Sequence, residues 1–238
     1  MEMNNEPMNN SKTQNLKFQN PNMVVNDDGL SQSPNWVWNS VRVGFVVLVM
    51  MIVGLVVAVA NGVADPKPVG SLQWEDQWTV ENEKWTVFGE GVRIGEGLEV
   101  EVDEAEIGGA VTRNPKAEFS FEVAGGQNGG PVGAAYGIVF GYQSPQQYTA
   151  VLINGNGYVE VITAEGQELM AWQQWPNILL GDEANRIRVD VQNGAGLIRI
   201  NDEVLLTVPV DSGAIGVLAR GSAAGQVVRF GWAKYWSR

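Results

Sequence analysis

Residues 185–202 read NRIRVDVQNGAGLIRIND, and this stretch decides the fold. Ile187, Val189 and Val191 alternate with Arg186, Arg188, Asp190 and Gln192, the period-two pattern of a strand with one buried face. Asn193-Gly194 is a hairpin turn pair, because both residues tolerate the positive φ that a tight two-residue turn needs. Leu197 to Ile200 returns as a second strand, and Asn201-Asp202 turns the chain again into Val204–Val208. Upstream, Lys116 to Ala124 alternates in the same way, with Ala117, Phe119, Phe121 and Val123 on one face. Asn154-Gly155-Asn156-Gly157 divides Tyr148–Ile153 from Tyr158–Thr163, and Val227 to Trp236 forms a last strand near the C-terminus. About a dozen short strands with Gly/Asn turns, and no twelve-residue helical stripe, predict a mainly β domain, an antiparallel sandwich or jelly roll.

The chain has 238 residues with no Cys and no His. That excludes disulfides, thiolate nucleophiles, Cys/His zinc sites and His-based triads. The net charge is −12, so duplex nucleic acid is not an expected partner. Residues 65–238 carry 12 basic and 23 acidic side chains, nearly all of that imbalance.

Before the strands lie two segments of different composition. Residues 1–41 contain ten Asn and few aliphatics, too little apolar surface to offset ordering entropy, and read as a disordered polar tail. Val43 to Ala60 is eighteen residues without a polar side chain, and residues 42–64 read as one transmembrane helix with Trp36 and Trp38 at its interfacial edge. Ala58-Val59-Ala60 and Gly62-Val63-Ala64 offer small-residue cleavage sites, but the polar stretch ahead of the run is far longer than a signal-peptide n-region. Gly54, Ala58 and Gly62 fall on one helix face, where another helix could approach closely. Residues 65–71, with Pro66 and Pro68, form a linker to a sandwich at 72–238.

Three runs carry a family resemblance: AYGIVFGYQSPQQYTAVLINGNGYVEVI (135–162), ANRIRVDVQNGAGLIRINDEVLLTV (184–208) and GAIGVLARGSAAGQVVRFGWAKYW (213–236). They resemble the concanavalin A-like, laminin-G-like sandwich, and more narrowly the family 16 glycoside-hydrolase-like domains of bacterial envelope proteins. The resemblance implies an extracytoplasmic sandwich, hence a single-pass cell-membrane protein with its tail in the cytoplasm. Its motifs are turn glycines and core alternation, and one fold hosts many functions.

Glu101, Asp103 and Glu106 have the Glu-x-Asp-x-x-Glu spacing of the catalytic strand in true family 16 hydrolases, where the outer carboxylates act as nucleophile and acid/base. The flanking aromatics of those enzymes are missing. The competing reading is a strand with Val100 and Val102 inward and a solvated acidic face, and the chain is expected not to be an enzyme. The acidic cluster lacks the spacing of a calcium loop, so no metal or other cofactor is expected. The glycines at 125–126 and 129–130 fall between strands and make no phosphate loop.

Sugar rings stack on exposed aromatics while amides bind their hydroxyls. Trp172 and Trp175 flanking Gln173-Gln174, with Tyr142 and Tyr148 flanking a Ser144-Pro145 turn, are the expected ligand-binding residues. Trp85, Phe230 and Trp232 are expected in the core. Three functions follow: first an accessory or structural subunit of a membrane or envelope complex, meeting other subunits through helix and tail; second, a membrane-anchored carbohydrate-binding module for glycan or envelope polymer; third, a glycoside hydrolase using Glu101 and Glu106.

Overall fold

The computed structural model describes residues 35–60, 66–80, 83–112 and 115–238. The chain divides into two compact units, Met1–Val63 and Ala64–Arg238.

In the first unit, helix α1 spans Asn35–Ala60. Its segment Trp38–Val59 is 22 residues long and apolar enough to cross a membrane, a length of about 33 Å at 1.5 Å per residue. The helix starts seven residues before Arg42, since nothing between Asn35 and Arg42 breaks it. Gly54 and Ala58 lie within it, while Gly62 and residues 1–34 of the tail fall outside the described residues.

The second unit holds fifteen strands among the described residues. They are β1 (Ser71–Asp76), β2 (Trp85–Phe88), β3 (Val92–Gly95), β4 (Gly97–Val102), β5 (Ile107–Thr112), β6 (Phe119–Gly129), β7 (Ala135–Ser144) and β8 (Gln147–Asn154). The rest are β9 (Tyr158–Thr163), β10 (Glu168–Gln174), β11 (Asn185–Gln192), β12 (Ala195–Ile200), β13 (Glu203–Pro209), β14 (Ala214–Arg220) and β15 (Gln226–Ser237). They form two antiparallel sheets. Sheet A runs β13-β12-β11-β6-β15-β4-β3, and sheet B runs β10-β9-β8-β7-β14-β5-β2. β15 is long enough to pair with β6 along one side and with β4 and then β1 on the other.

The core lies between the sheets, as alternation requires: Leu98, Val100, Phe121, Val123 and Phe230 of sheet A meet Tyr136, Ile138, Phe140, Val151 and Val217 of sheet B. Trp74, Trp78 and Trp85 close one part of it, with Trp78 and Trp85 ring centroids 5.2 Å apart. Asp76 fixes the cluster by accepting hydrogen bonds from the Trp78 backbone N–H (2.8 Å) and the Trp85 indole N–H (3.0 Å). The expected turns hold: Asn193 and Gly194 have φ of 52° and 74°, Asn201 and Asp202 of 49° and 72°.

Two glycine pairs were expected between strands, but Gly125, Gly126 and Gly129 lie inside β6. Packing explains the first, since a Cβ at Gly125 would sit 2.6 Å from the Phe230 ring.

The segment ahead of β1 is fastened across the outer face of sheet A. Ser120 Oγ accepts the Val69 N–H at 2.6 Å, and Arg188 Nη2 donates to the Pro66 carbonyl at 2.8 Å. Beneath them Asp190 receives Arg188 and Arg199, each at 3.3 Å, and the Ser120 hydroxyl. Ser120, Arg188 and Asp190 are all buried, so their charges and donors satisfy one another.

Phe121 sits on a central strand with no exposure. Its replacement by Ala should cost about 3–5 kcal/mol. Denaturant unfolding of the detergent-solubilised protein, followed by tryptophan fluorescence, should show a lowered midpoint.

Candidate functional site: a trough on the outer face of sheet B

The central strands of sheet B are apolar on both faces. On β7, Tyr136, Ile138 and Phe140 enter the core, while Ala135 and Val139 belong to a second apolar cluster with Val111, Ala150, Leu152 and Leu218. Register places Phe88, Gly109, Leu218, Gly137, Leu152 and Glu160 in one row across the outer face. The next row is Thr86, Val111, Gly216, Val139, Ala150 and Ile162. Leu218 thus has glycine on both neighbouring strands, and Gly216 has valine on both. Side chains at Gly109 and Gly137 have no room: a Cβ would lie 2.1 Å from the Val217 carbonyl oxygen and 2.0 Å from that of Val151, respectively.

All fifteen strands belong to the two sheets, so among the described residues no further strand layer covers this face. Val139 and Ala150 are nevertheless fully buried. Phe88, Tyr142, Tyr148, Ile162 and Ala214 pack against them, and the sheet is curved. β8 and β14, on either side of β7, approach within 8 Å at Cα, whereas two flat interstrand spacings are about 9.5 Å. The sheet bends into a trough.

Aromatic rings line one part of the trough. Phe88 and Tyr142 stack with centroids 5.2 Å apart, and Tyr142 and Tyr148 with centroids 6.2 Å apart. An open depression of about 540 Å³ adjoins Tyr142, bordered by Thr86, Val111 and Ala214. Elsewhere in the trough Arg220 forms an ion pair with Glu160. Arg220 stands on β14 and Glu160 on β9, so the arginine must cross β7 and β8, and Ala135 directly opposite it leaves room. The guanidinium lies 6.0 Å from the centre of the Trp172 ring, which is 36% exposed. These two, with Tyr158, Asn154 and Asn156, border a depression of about 370 Å³.

Burial raises the Glu160 carboxyl above its ordinary value, opposed by the charge and hydrogen bond of Arg220. Tyr148 is raised by burial, with Arg220 pulling it back, and burial alone raises Tyr142. Both phenols are therefore neutral donors at physiological pH, and the one buried carboxylate is paired with a cation. The trough can stack an apolar ring face and bond hydroxyls at its rim, without selecting for charge.

Of the residues expected to bind ligand, Trp172, Tyr142 and Tyr148 stand on this face. Gln173 and Gln174 are exposed on the edge strand β10, opposite Val159 and Tyr158, and border neither depression. Trp175 packs against the core with its indole N–H buried, because its backbone N–H bonds Gly157 O (2.9 Å) and turns the chain inward. Glu101, Asp103 and Glu106 border neither depression, although the Glu106 carbonyl accepts the N–H of Gly221, a residue at the edge of the smaller one, at 2.9 Å. Glu101 is an exposed residue of β4 paired with Arg93 at 3.2 Å. Asp103 accepts the Gly225 N–H at 2.7 Å, and Glu106 accepts the Asp103 N–H at 3.1 Å, so both fasten the β4–β5 turn. Among the described residues no group of three or more acidic side chains is placed to hold a metal ion.

Phe88, Glu160 and Arg220 were not anticipated from the sequence. The signal was present in TAVLI, YVEVI and AIGVLA, which are apolar or small at nearly every position and so announce strands buried on both faces.

No protein-family model matches the sequence, and no curated protein matches it. Solved structures do share its fold. Xylan beta-1,4-xylosidase from Bacillus halodurans C-125 is 12% identical with a TM-score of 0.54, over 72% of this chain and 40% of that one. The GH43 BlXynB protein from Bacillus licheniformis is 12% identical with a TM-score of 0.53, over 70% and 39%. The apo Crh5 transglycosylase is 12% identical with a TM-score of 0.50, over 73% and 88%. This chain spans about two fifths of the length of the two Bacillus proteins. At such identities the likeness shows the two-sheet sandwich and reaches no narrower family. It corrects the expectation that the chain is not an enzyme: a xylosidase and a transglycosylase share the sandwich, so the fold gives no ground for setting catalysis aside.

A raised carboxyl pKa means that the folded state holds the proton more tightly than the unfolded state. The contribution of Glu160 is therefore fullest below the ordinary value of 4.5 and declines as pH rises through the folded value. Between pH 4.5 and neutrality the melting temperature of the wild type should fall more steeply, or rise less, than that of Glu160→Gln. Parallel melting curves across that range would show the carboxyl to be unperturbed.

Proposed function

We propose that this chain is a membrane-anchored glycan-binding protein, and that a neutral sugar chain lies in the trough of sheet B. One observation carries the reading: a stacked aromatic track, Phe88-Tyr142-Tyr148, on the curved outer face of sheet B, which also holds Trp172 and the Arg220–Glu160 pair. Pyranose rings present apolar C–H faces to such rings, and the phenols, Asn154, Asn156 and Arg220 supply hydroxyl partners. Helix α1 anchors the protein in the cell membrane, with the tail in the cytoplasm and the sandwich outside, where envelope or extracellular glycan is met. The helix surface at Gly54 is open, with no atom within 4 Å of where a side chain would begin, and with Ala58 it is where a companion membrane subunit would pack.

Calorimetric titration of the detergent-solubilised full-length protein with xylohexaose, cellohexaose and laminarihexaose tests the reading. Tyr142→Ala and Trp172→Ala should each weaken binding by up to about tenfold, the size of one ring-stacking contact. Affinities identical in wild type and both variants would refute it. The topology has its own check: protease added to intact cells should remove residues 66–238, and full protection would reverse the orientation.

A further inference from the structure

Alternation along β15 puts Trp232 on the core side with Phe230, and the structure departs from it. The register against β6 slips between these residues: Phe230 faces Gly125, Trp232 faces Ala124, and Gly231 is the extra residue. That bulge turns Trp232 onto the outer face of sheet A while Phe230 and Ala233 stay in the core. Trp232 is half-buried and belongs to neither apolar cluster. Bulges interrupt a ladder, and they recur where a side chain has to be re-aimed at a site.

Its surroundings leave the ring accessible. Ala124, Gly126 and Gly231 surround it with almost no side chain, and a Cβ at Gly231 would meet no atom closer than 4.0 Å. Two depressions, of about 590 and 220 Å³, meet at Trp232 and share Ala124 and Ala184. One wall is the loop between β10 and β11, and it is held rigidly. Asn185 Oδ1 accepts the Leu179 N–H (2.8 Å), Asn185 Nδ2 donates to Leu179 O (3.0 Å), and Asn201 Nδ2 donates to Asn177 O (2.6 Å). Arg186 and Glu203 border the larger depression and Arg229 and Asp182 the smaller, so each is lined by one cation and one carboxylate. The Lys234 ammonium lies 4.8 Å from the centre of the Trp232 ring.

We propose that this groove is a second glycan site, where a neutral sugar unit stacks on Trp232 and bonds the balanced polar groups at its rim. Its ligand class rests on the glycan reading of the trough. The two sites lie on the outer faces of opposite sheets, so no single hexasaccharide serves both, and one sandwich holds two chains of a polymer at once.

Titration of the full-length protein with xylohexaose, cellohexaose and laminarihexaose should therefore give two sugars bound per chain. Trp232→Ala should weaken one of the two by up to about tenfold with the other affinity unchanged, and Tyr142→Ala should weaken only the other. Ala184→Glu fills the groove from an exposed position and should act like Trp232→Ala, which separates lost stacking from a damaged fold. One bound sugar that is weakened by Tyr142→Ala and indifferent to Trp232→Ala and Ala184→Glu would overturn the groove and keep the trough. One bound sugar with the reverse dependence would keep the groove and overturn the trough. No bound sugar with any of the three would overturn both.

Discussion

Leu218 is buried on the solvent side of β14 because glycine stands opposite it on both adjoining strands, and the shape of sheet B follows from that exchange of volumes. Where Leu218 needs space, Gly109 and Gly137 provide it; where Gly216 leaves a gap, Val111 and Val139 fill it. Neighbouring strands can then approach and the sheet can fold about β7. A side chain at Gly137 would meet the Val151 carbonyl, so both the packing and the bend depend on its absence. The trough, its aromatic track and the reach of Arg220 across two strands to Glu160 all rest on this curvature. The opposite sheet is built differently, with charges on its outer face held by Asp190 and covered by the segment that leads into β1.

Much of the architecture is written locally in the chain. The turns at 193–194 and 201–202 need positive φ, and Asn, Gly and Asp mark them; the inward positions of β6 and β11 follow from strict alternation. The apolar run of α1 is equally legible, since a helix that crosses lipid must satisfy its backbone within itself. Such features depend on a residue and its near neighbours in sequence, and physics constrains them there.

What lay hidden depends on partners remote in sequence. Alternation fails at one residue of β15, and nothing near Gly231 signals it; the bulge is visible only in the slipped register against β6, about a hundred residues earlier. The glycines of β6 read as loop until Phe230 is seen to occupy the space over Gly125. Trp175 reads as exposed until its backbone bond to Gly157 is seen to turn it toward the core. Tyr142 and Tyr148 could be named from a turn, whereas their shared face with Phe88 required the order of strands across sheet B.

The fastening of Pro66 and Val69 to Arg188 and Ser120 also has a mechanical meaning. A pull on the chain ahead of Pro66 enters the sandwich through residues 66–70, which lead directly into β1. It arrives first at side chains of β6 and β11, in the middle of sheet A, before it reaches the ladder between β1 and β15. The bonds of Pro66 and Val69 thus meet such a pull on two interior strands before it reaches the first strand.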